Sequence, residues 1–434
     1  MLDIGFILPP TNNAKPFRQV PLTSLYLLTI LEDRFGDKIK LSEIDLRGIK
    51  SEDLKFYIPE KDIYFYTIMT PEWEDIISIR NIIKENYPKS KNIAGGIHVY
   101  LYPDECLKYF DSLSIGDGEI TIINIINDVL NNKLDGIYTH DPKNIIDLNN
   151  YPYPQRKFLP KTTIVQTGLL VGNNSRLYTS DVLFSRWCPF KCAFCVNITH
   201  GPTKFRSPEN IRLEIEYLKR DYNINALVLK DDNGIPWQKD IAKPFLEAIA
   251  SCNVSWRGQS RANGITEDIV KLAAKSGCTD IAVGIESASP KVLKLVNKGI
   301  DLTEAKKYIR LLKKYGIGAR LLLIMGLPGE DENIYNQMLD FINETEPTSV
   351  VLSLFSPYPG SPMYKNKDKY GIELLNHNYN ELRNYFGRLD PNEKTKMFFK
   401  YKEQTPWGYT LSNTQIIENY DKLQTILREK GLNF

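Results

Sequence analysis

The sequence predicts an α/β protein with a doubly wound parallel sheet, then a partial (β/α)6 barrel, then a small C-terminal segment. Strand-like and helical stretches alternate up to about residue 130, and a second alternating series begins near Tyr178. Hydrophobic residues make up 42% of the chain and charged residues 25%, as in folded proteins with large cores. For 434 residues we expect two to three domains. The predicted boundaries are 1–135 and 176–365 for the two domains, 136–175 for the linker and 366–434 for the C-terminal segment.

The first domain alternates short apolar runs with stretches of helical periodicity. Such alternation predicts a parallel sheet covered by helices, with a ligand site at the carboxyl ends of its strands. The strand candidates are residues 4–8, 40–44, 62–66 and 92–94, and the helical candidates are residues 21–31 and 76–83.

The second series contains about six strand–helix units, which is fewer than the eight of a closed barrel. We therefore predict a partial, open barrel. The strand candidates are residues 181–184, 226–229, 254–256, 281–285, 319–324 and 349–353, and helical stretches between them include 211–219, 265–275 and 303–315.

Charge and composition argue against several classes of protein. Lys plus Arg number 55 and Asp plus Glu number 53, and a net charge of only +2 argues against a nucleic-acid partner. No apolar run approaches the roughly 18–20 residues that span a bilayer, so no membrane association is expected. The first residues lack the basic start and apolar length of a signal peptide, and we expect a cytoplasmic protein. Six Cys in a chain of this length do not form a disulfide scaffold.

Three cysteines lie within eight residues, directly after a predicted strand. Cys188, Cys192 and Cys195 have the spacing Cys-x3-Cys-x2-Cys. Three such thiolates hold three irons of a 4Fe–4S cube and leave the fourth iron without a protein ligand. A zinc site with His200 as fourth ligand is the alternative, although structural zinc usually takes two ligand pairs. The other cysteines are isolated and are expected to pack as small apolar side chains: Cys106, Cys252 and Cys278.

The Cys spacing, its position after the first barrel strand and the aromatic Phe194 before the third Cys resemble the radical S-adenosylmethionine enzymes. The resemblance covers about residues 180–365. Trp187 departs from it, because the family more often has Gly there, and makes the loop bulkier without removing a ligand. Further segments that match the family are Gly-Ile-Glu-Ser-Ala-Ser at 284–289, Asn-Lys-Gly at 297–299, Gly-Leu-Pro-Gly-Glu at 326–330 and Phe-Ser-Pro-Tyr-Pro-Gly at 355–360.

This resemblance implies that the open iron binds S-adenosylmethionine, which the reduced cluster cleaves to methionine and a 5′-deoxyadenosyl radical. Phe194 would then pack against the cluster and adenine, Asp232 would hold an amino group, and Glu286 would contact the ribose or amino group. Arg320 would pair with a carboxylate. Simple loop packing, a solvated turn and a structural salt bridge are the alternatives for Phe194, Asp232 and Arg320. The expected partners are a small-molecule substrate and an electron donor such as flavodoxin or ferredoxin.

The N-terminal domain resembles the Rossmann-like cobalamin-binding domain that precedes the TIM-type barrel in one subclass of these enzymes. The similar segments are residues 21–27, 44–45, 95–98, 115–119 and 151–154. The resemblance implies cofactor contacts by Gly95, Gly96, Gly116, Gly118 and Glu119. The Asp-x-His-x-x-Gly motif is absent, and the loop at 9–20 has no His. Either cobalamin binds without a protein histidine, or the domain has lost cobalamin and persists as a scaffold.

The leading hypothesis is a cobalamin-dependent radical S-adenosylmethionine enzyme that methylates an unactivated carbon or phosphorus of a small molecule. A cyclase, or a ring-rearranging or oxidising relative with or without cobalamin, is the first alternative. A non-catalytic iron–sulfur protein is the second. A methylthiotransferase is excluded, because it needs three further N-terminal Cys and the first 187 residues contain only Cys106.

Overall fold

The computed structural model describes residues 1–10, 19–141, 146–167, 177–196, 203–379, 385–386 and 396–433. The chain divides into two compact units, Met1–Ile164 and Val165–Phe434. The boundary between them falls inside the predicted linker, residues 136–175. Among the described residues, no helix is both long and apolar enough to cross a bilayer.

The first unit is built on a six-stranded sheet. Its strands are β1 Leu2–Leu8, β2 Ile39–Asp45, β3 Ile63–Thr67, β4 Lys91–Gly95, β5 Ser112–Ile115 and β6 Ile137–Thr139. Its helices are α1 Leu22–Phe35, α2 Leu54–Tyr57, α3 Trp73–Asn86, α4 Ile97–Leu101, α5 Pro103–Cys106, α6 Gly118–Leu130 and α7 Lys161–Ile164.

All neighbouring strands of this sheet are parallel, in the order β2-β1-β3-β4-β5-β6. The apolar runs predicted as strands are buried here: Ile4 and Phe6 are 0% and 1% exposed, and the Phe6 and Phe65 rings stack at 4.9 Å. The strand order reverses between β1 and β3, and ligands of doubly wound sheets bind in the crevice at such a reversal.

The second unit continues with β7 Gln166–Thr167, β8 Tyr178–Val182, β9 Ser185–Arg186, β10 Lys204–Phe205, β11 Ala226–Leu229, β12 Ser255–Ser260, β13 Cys278–Glu286, β14 Gly318–Met325, β15 Ser349–Leu354, β16 Ile372–Leu374, β17 Tyr385–Phe386 and β18 Phe399–Tyr401. Its helices are α8 Pro208–Tyr222, α9 Lys239–Ser251, α10 Glu267–Lys275, α11 Pro290–Leu295, α12 Leu302–Lys314, α13 Ile334–Thr345, α14 Pro362–Lys365 and α15 Asn413–Glu429.

The main sheet of this unit has the order β17-β15-β14-β13-β12-β11-β8-β7. The six strands from β8 to β15 are parallel, and β7 and β17 add antiparallel strands at the two edges. The predicted α/β class, with a doubly wound first domain and a partial barrel of six parallel strands, is confirmed. The carboxyl ends of the six strands share one edge, where barrel active sites form.

The C-terminal segment packs on the barrel through α15. This helix begins with a capping box in which Ser412 and Gln415 satisfy each other's backbone N–H groups. The side chains of Tyr420 and Gln424 donate to the backbone oxygen of Leu352 in β15, at 3.5 and 3.1 Å. Helix α15 therefore adds an apolar face to the second unit.

A closed turn follows β14, and a buried carboxyl group holds it. Glu330 accepts a hydrogen bond from the Gly326 backbone N–H at 2.8 Å, and the Tyr401 hydroxyl donates to the Gly326 oxygen at 2.8 Å. Burial raises the pKa of Glu330 to about 8. The folded chain thus holds a proton on Glu330 at neutral pH that the unfolded chain releases.

A carboxyl group with a raised folded-state pKa stabilises the fold fully below its unfolded pKa, near 4.5, and loses that contribution as the pH rises to about 8. We expect Glu330→Gln to raise the thermal midpoint at pH 8.5 by about 2–4 °C, which corresponds to about 1 kcal/mol, and to change it little at pH 5. Scanning calorimetry at both pH values measures this.

Glu332→Gln, at an exposed position two residues away, is the matched control and leaves both midpoints unchanged. An equal rise for Glu330→Gln at both pH values contradicts the buried, protonated carboxyl group.

Candidate functional site

The loop that carries Cys188, Cys192 and Cys195 follows β8 at the carboxyl edge of the barrel. Its entry is fixed by Asp231, which lies just after β11 and is fully buried. The Asp231 carboxylate accepts from the Phe184 backbone N–H at 3.1 Å and from the Ser185 hydroxyl at 2.5 Å. Two neighbouring strands thereby set the point at which the Cys loop leaves the barrel.

Trp187 starts this loop in a backbone conformation that favours glycine. Its φ is +70°, in the left-handed region that bulky side chains rarely adopt. The Lys204 ammonium lies 4.3 Å from the centre of the Trp187 ring, a cation–π contact. Glycine adopts this backbone conformation without strain, which explains why the family more often has Gly at this position. In this chain the contact with Lys204 stabilises the Trp187 ring instead.

Three hydrogen bonds fasten the Cys loop to the rest of the second unit. The Ala193 N–H donates to the Val296 oxygen at 2.8 Å, and the Ala193 oxygen accepts from the Met363 N–H at 3.0 Å. The Asn297 side-chain amide donates to the Lys191 oxygen at 2.8 Å. Because these contacts come from segments more than 100 residues later, the tertiary fold determines the conformation of the loop.

The three thiols share one electrostatic environment. Burial raises the pKa of Cys188 and raises that of Cys195 to about 12. Charges on Cys192, Asp232 and Glu286 raise the pKa of Cys195 further. The charged forms of Cys192, Asp232 and Glu286 thus disfavour a thiolate at Cys195, and a bound cation would offset that repulsion.

This donor set fits an iron–sulfur cube. The described residues contain no three His, Cys, Asp or Glu side chains placed to hold one metal ion. A cube needs a different arrangement, because each thiolate binds its own iron. Three adjacent thiols on a loop held by hydrogen bonds supply one ligand for each of three irons. His200, the alternative zinc ligand, lies outside the described residues, and Cys106, Cys252 and Cys278 are buried elsewhere.

Glu286 ends β13 and is turned by an irregularity in the sheet. The β13–β14 register shifts between Gly284 and Glu286, and Glu286 has φ +69°. A bulge of this kind re-aims the side chain that follows it. The Glu286 carboxylate pairs with the Lys298 ammonium at 2.7 Å, and both residues are buried. A Cβ on Gly284 would lie 2.8 Å from Glu286 Oε1 and 2.9 Å from Lys298 Nζ, so a side chain there would displace this pair.

Phe194 and Asp232 lie beside the same thiols. The Lys298 ammonium is 5.9 Å from the centre of the Phe194 ring. Asp232 follows β11, and its charge acts on Cys188 and Cys195. Desolvation raises the pKa of Asp232, although the residue keeps an exposed face. The structure therefore brings Phe194, Asp232 and Glu286 together around the Cys loop.

Arg320 is placed elsewhere. It is the third residue of β14, and its guanidinium pairs with the buried carboxylate of Asp280 at 3.2 Å. The last residue of the strand, Met325, lies five residues further on, about 16 Å along an extended strand. Burial and the nearby Arg257 lower the pKa of Arg320. Arg320 thus lies in an ion pair deep in the barrel and not with the thiols.

Sequence reasoning missed Arg261, which follows β12. Its guanidinium donates to Cys192 Sγ at 3.2 Å and also to the Lys298 backbone oxygen. The Phe190 ring lies 3.8 Å from the guanidinium carbon. An isolated Arg between Ser and Ala carries no motif, and its only sequence signal is its position five residues after the predicted barrel strand at residues 254–256.

In the first unit, Gly95 and Gly96 lie at the carboxyl end of β4. Gly96 has φ +94°, and a Cβ there would lie 2.7 Å from the Ile68 backbone nitrogen. A Cβ on Gly95 would lie 3.4 Å from Ser114. The turn at Gly96 therefore requires glycine, and Gly95 and Gly96 themselves place no side chain at this edge.

The neighbouring turn after β5 contains Gly116, Gly118 and Glu119. Gly116 has φ +97°, and a Cβ there would collide with the His140 backbone oxygen. Glu119 lies in the first turn of α6 and is buried. His140 was not singled out in the sequence, yet its Nδ1 lies 3.2 Å from an Asp117 carboxylate oxygen at this edge.

His98 is buried within the first unit. Its ring lies 4.3 Å from that of Trp73, and burial lowers the pKa of His98 to about 4. The His98 imidazole is therefore neutral at physiological pH and enclosed in the first unit.

Residues 182–342 match the model of the radical SAM superfamily. This match confirms the resemblance stated from the Cys spacing. An uncharacterized methyltransferase of Pyrococcus horikoshii is 25% identical over 92% of this chain and 89% of its own length. An anaerobic magnesium-protoporphyrin IX monomethyl ester cyclase of Rubrivivax gelatinosus is 25% identical over 70% of this chain and 58% of its own.

Among solved structures, the radical S-adenosylmethionine methyltransferase TsrM of Kitasatospora setae, with cobalamin and a [4Fe-4S] cluster bound, shares the fold. The TM-score is 0.62 at 16% identity, over 86% of this chain and 80% of that one.

We expect Cys192→Ala to abolish cluster assembly, because the two remaining thiolates do not hold a cube. Iron and acid-labile sulfide per chain after anaerobic reconstitution measure this. Cys252→Ala, which removes a buried thiol at the end of α9, is the control and keeps its iron. An unchanged iron content in Cys192→Ala refutes the assignment.

Proposed function

We propose that this chain, whose residues 182–342 match the radical SAM superfamily model, is a cobalamin-dependent radical S-adenosylmethionine methyltransferase. Its substrate in this proposal is a small molecule with an unactivated carbon or phosphorus. One observation carries the proposal: a single chain joins a parallel sheet of order β2-β1-β3-β4-β5-β6 to a six-stranded partial barrel with three adjacent thiols. The aligned methyltransferase of P. horikoshii and the fold of TsrM, whose structure contains cobalamin and the cluster, support it.

Cys188, Cys192 and Cys195 would hold the cluster. When bound, a 4Fe–4S cluster with one iron free of protein ligands supplies the reductive cleavage of S-adenosylmethionine. The protein supplies binding, orientation and exclusion of water. A one-electron donor of flavodoxin or ferredoxin type provides the electron in this proposal.

Glu286, Asp232 and Phe194 are the residues placed to bind the nucleoside and amino acid parts of S-adenosylmethionine. The ion pair with Lys298 fixes the Glu286 carboxylate, which accepts hydrogen bonds from a ribose hydroxyl or an ammonium group. Asp232 offers a second carboxylate beside the thiols. Phe194 offers a ring face to adenine.

The first unit fits a cofactor at the carboxyl edge of its sheet. The strand order reverses between β1 and β3, which is where ligands bind in sheets of this order. The turns with Gly95, Gly96, Gly116 and Gly118 lie at the same edge, and Glu119 starts the helix behind it. These residues would contact cobalamin, which carries the methyl group in this proposal, without a histidine from the loop at 9–20.

A cyclase, or a ring-rearranging or oxidising enzyme, is the second candidate. The observation that favours it is the alignment of the R. gelatinosus cyclase with 70% of this chain. The two candidates share cleavage of S-adenosylmethionine and differ in whether its methyl group reaches the substrate.

We expect the reconstituted, dithionite-reduced protein to convert S-adenosylmethionine to 5′-deoxyadenosine even without substrate, because uncoupled cleavage needs only the cluster and the cofactor. Liquid chromatography with mass detection measures the product. Cys192→Ala is the inactive control. If the iron-loaded protein forms no 5′-deoxyadenosine, both enzyme candidates fail and the non-catalytic iron–sulfur protein remains.

We expect anaerobically purified protein to retain about one cobalamin per chain, read from its absorption spectrum. In a metabolite extract, S-adenosylmethionine with an isotope-labelled methyl group should then label a small molecule. Retained cobalamin with labelled product supports methyl transfer. Product formation without label supports the second candidate, and a protein that never retains cobalamin lacks the proposed carrier.

A further inference from the structure

One buried cation contacts the Cys loop at a sulfur atom. The Arg261 guanidinium donates from Nη1 to Cys192 Sγ at 3.2 Å. Arg261 is only 8% exposed and follows β12, 69 residues after Cys192 in the chain. The cation therefore reaches the thiol from another part of the barrel and not from the loop itself.

Two contacts besides the one to sulfur hold the guanidinium, and a third holds the Arg261 backbone. Its other terminal nitrogen donates to the Lys298 backbone oxygen, and the Phe190 ring lies 3.8 Å from its central carbon. The Arg261 backbone N–H lies 3.4 Å from the Asn233 side-chain oxygen. A planar group held by a cation–π contact and by a carbonyl has little freedom to turn away from the sulfur.

We propose that Arg261 is a positioning residue that sets the reduction potential of the cluster through its hydrogen bond to Cys192. This inference rests on the proposed function, because it requires the cluster on the three cysteines. A hydrogen bond to a ligating sulfur and a nearby positive charge stabilise the more negative, reduced cluster and so raise its potential. In the buried surroundings of Arg261, water screens this effect only weakly.

The arrangement links Arg261 to the Glu286 side of the site. Lys298 accepts from Arg261 through its backbone and pairs with Glu286 through its side chain. Arg261 is thus held in place by the same residue that fixes the proposed S-adenosylmethionine contact. It acts on the cluster through Cys192 and does not itself touch the reacting atoms.

Two substitutions of Arg261 test this in the reconstituted full-length protein. Arg261→Gln removes the positive charge, and Arg261→Lys keeps the charge but loses the planar fork that reaches both Cys192 and the Lys298 oxygen. Arg310→Gln removes one positive charge from the exposed face of α12 and is the matched control for net charge. Iron and sulfide content are measured first, and then a dithionite titration followed by electron paramagnetic resonance gives each midpoint potential without S-adenosylmethionine.

At the wild-type midpoint potential, we expect the ratio of reduced to oxidised cluster in Arg261→Gln to fall about tenfold. For a one-electron couple this corresponds to a downward shift of about 59 mV. Arg261→Lys should give a smaller downward shift, and Arg310→Gln should match the wild type. A residue that only supports the fold would lower cluster content without moving the potential of the clusters that do assemble.

The inference is overturned if the Arg261→Gln variant assembles its full content of cluster and that cluster has the wild-type midpoint potential. If Arg261→Gln does not assemble a cluster, Arg261→Lys decides, and a wild-type potential there also overturns it. A wild-type protein that holds no cluster overturns the proposed function instead, so the two failures are distinguishable.

Discussion

The attachment of the Cys loop to the residues after α11 is the constraint on which the site depends. Residues 187–196, the described part of the loop between β9 and β10, form no helix or strand, so their buried backbone groups need partners elsewhere. Val296 accepts from Ala193, and the Asn297 side chain donates to the loop. Lys298 accepts from Arg261, which in turn reaches Cys192. The Asn-Lys-Gly segment thereby acquires a physical role as the support of the thiols.

The same segment determines where Glu286 lies. Lys298 pairs with it across a space that Gly284 leaves open, and the register shift in β13 turns the carboxylate toward the thiols. A buried ion pair of this kind costs desolvation of both charges and is often neutral for stability. Its value here is positional, because it holds a hydrogen-bond acceptor in a strained backbone conformation beside the cluster ligands.

The sequence predicted the parts that depend on local pattern. Alternating apolar runs indicated the parallel strands, and Cys spacing indicated the cluster, because both signals lie within a few residues. The role of Arg261 depends on a contact across 69 residues, and no local pattern carries it. Strand β6 was not predicted, because Ile137–Thr139 is short and lies in a polar stretch. Helix α15 does carry a readable apolar repeat at Ile416, Tyr420, Leu423 and Leu427, and this signal was overlooked.

The central claim is that three thiols on a fastened loop hold a 4Fe–4S cube with one iron open to S-adenosylmethionine. Mössbauer spectroscopy of the iron-57-labelled, reconstituted protein tests it most directly. On addition of S-adenosylmethionine, one iron of the four should change its isomer shift while three stay as they were. Four irons that all remain unchanged, or a loop that takes up zinc and no iron, would contradict the account.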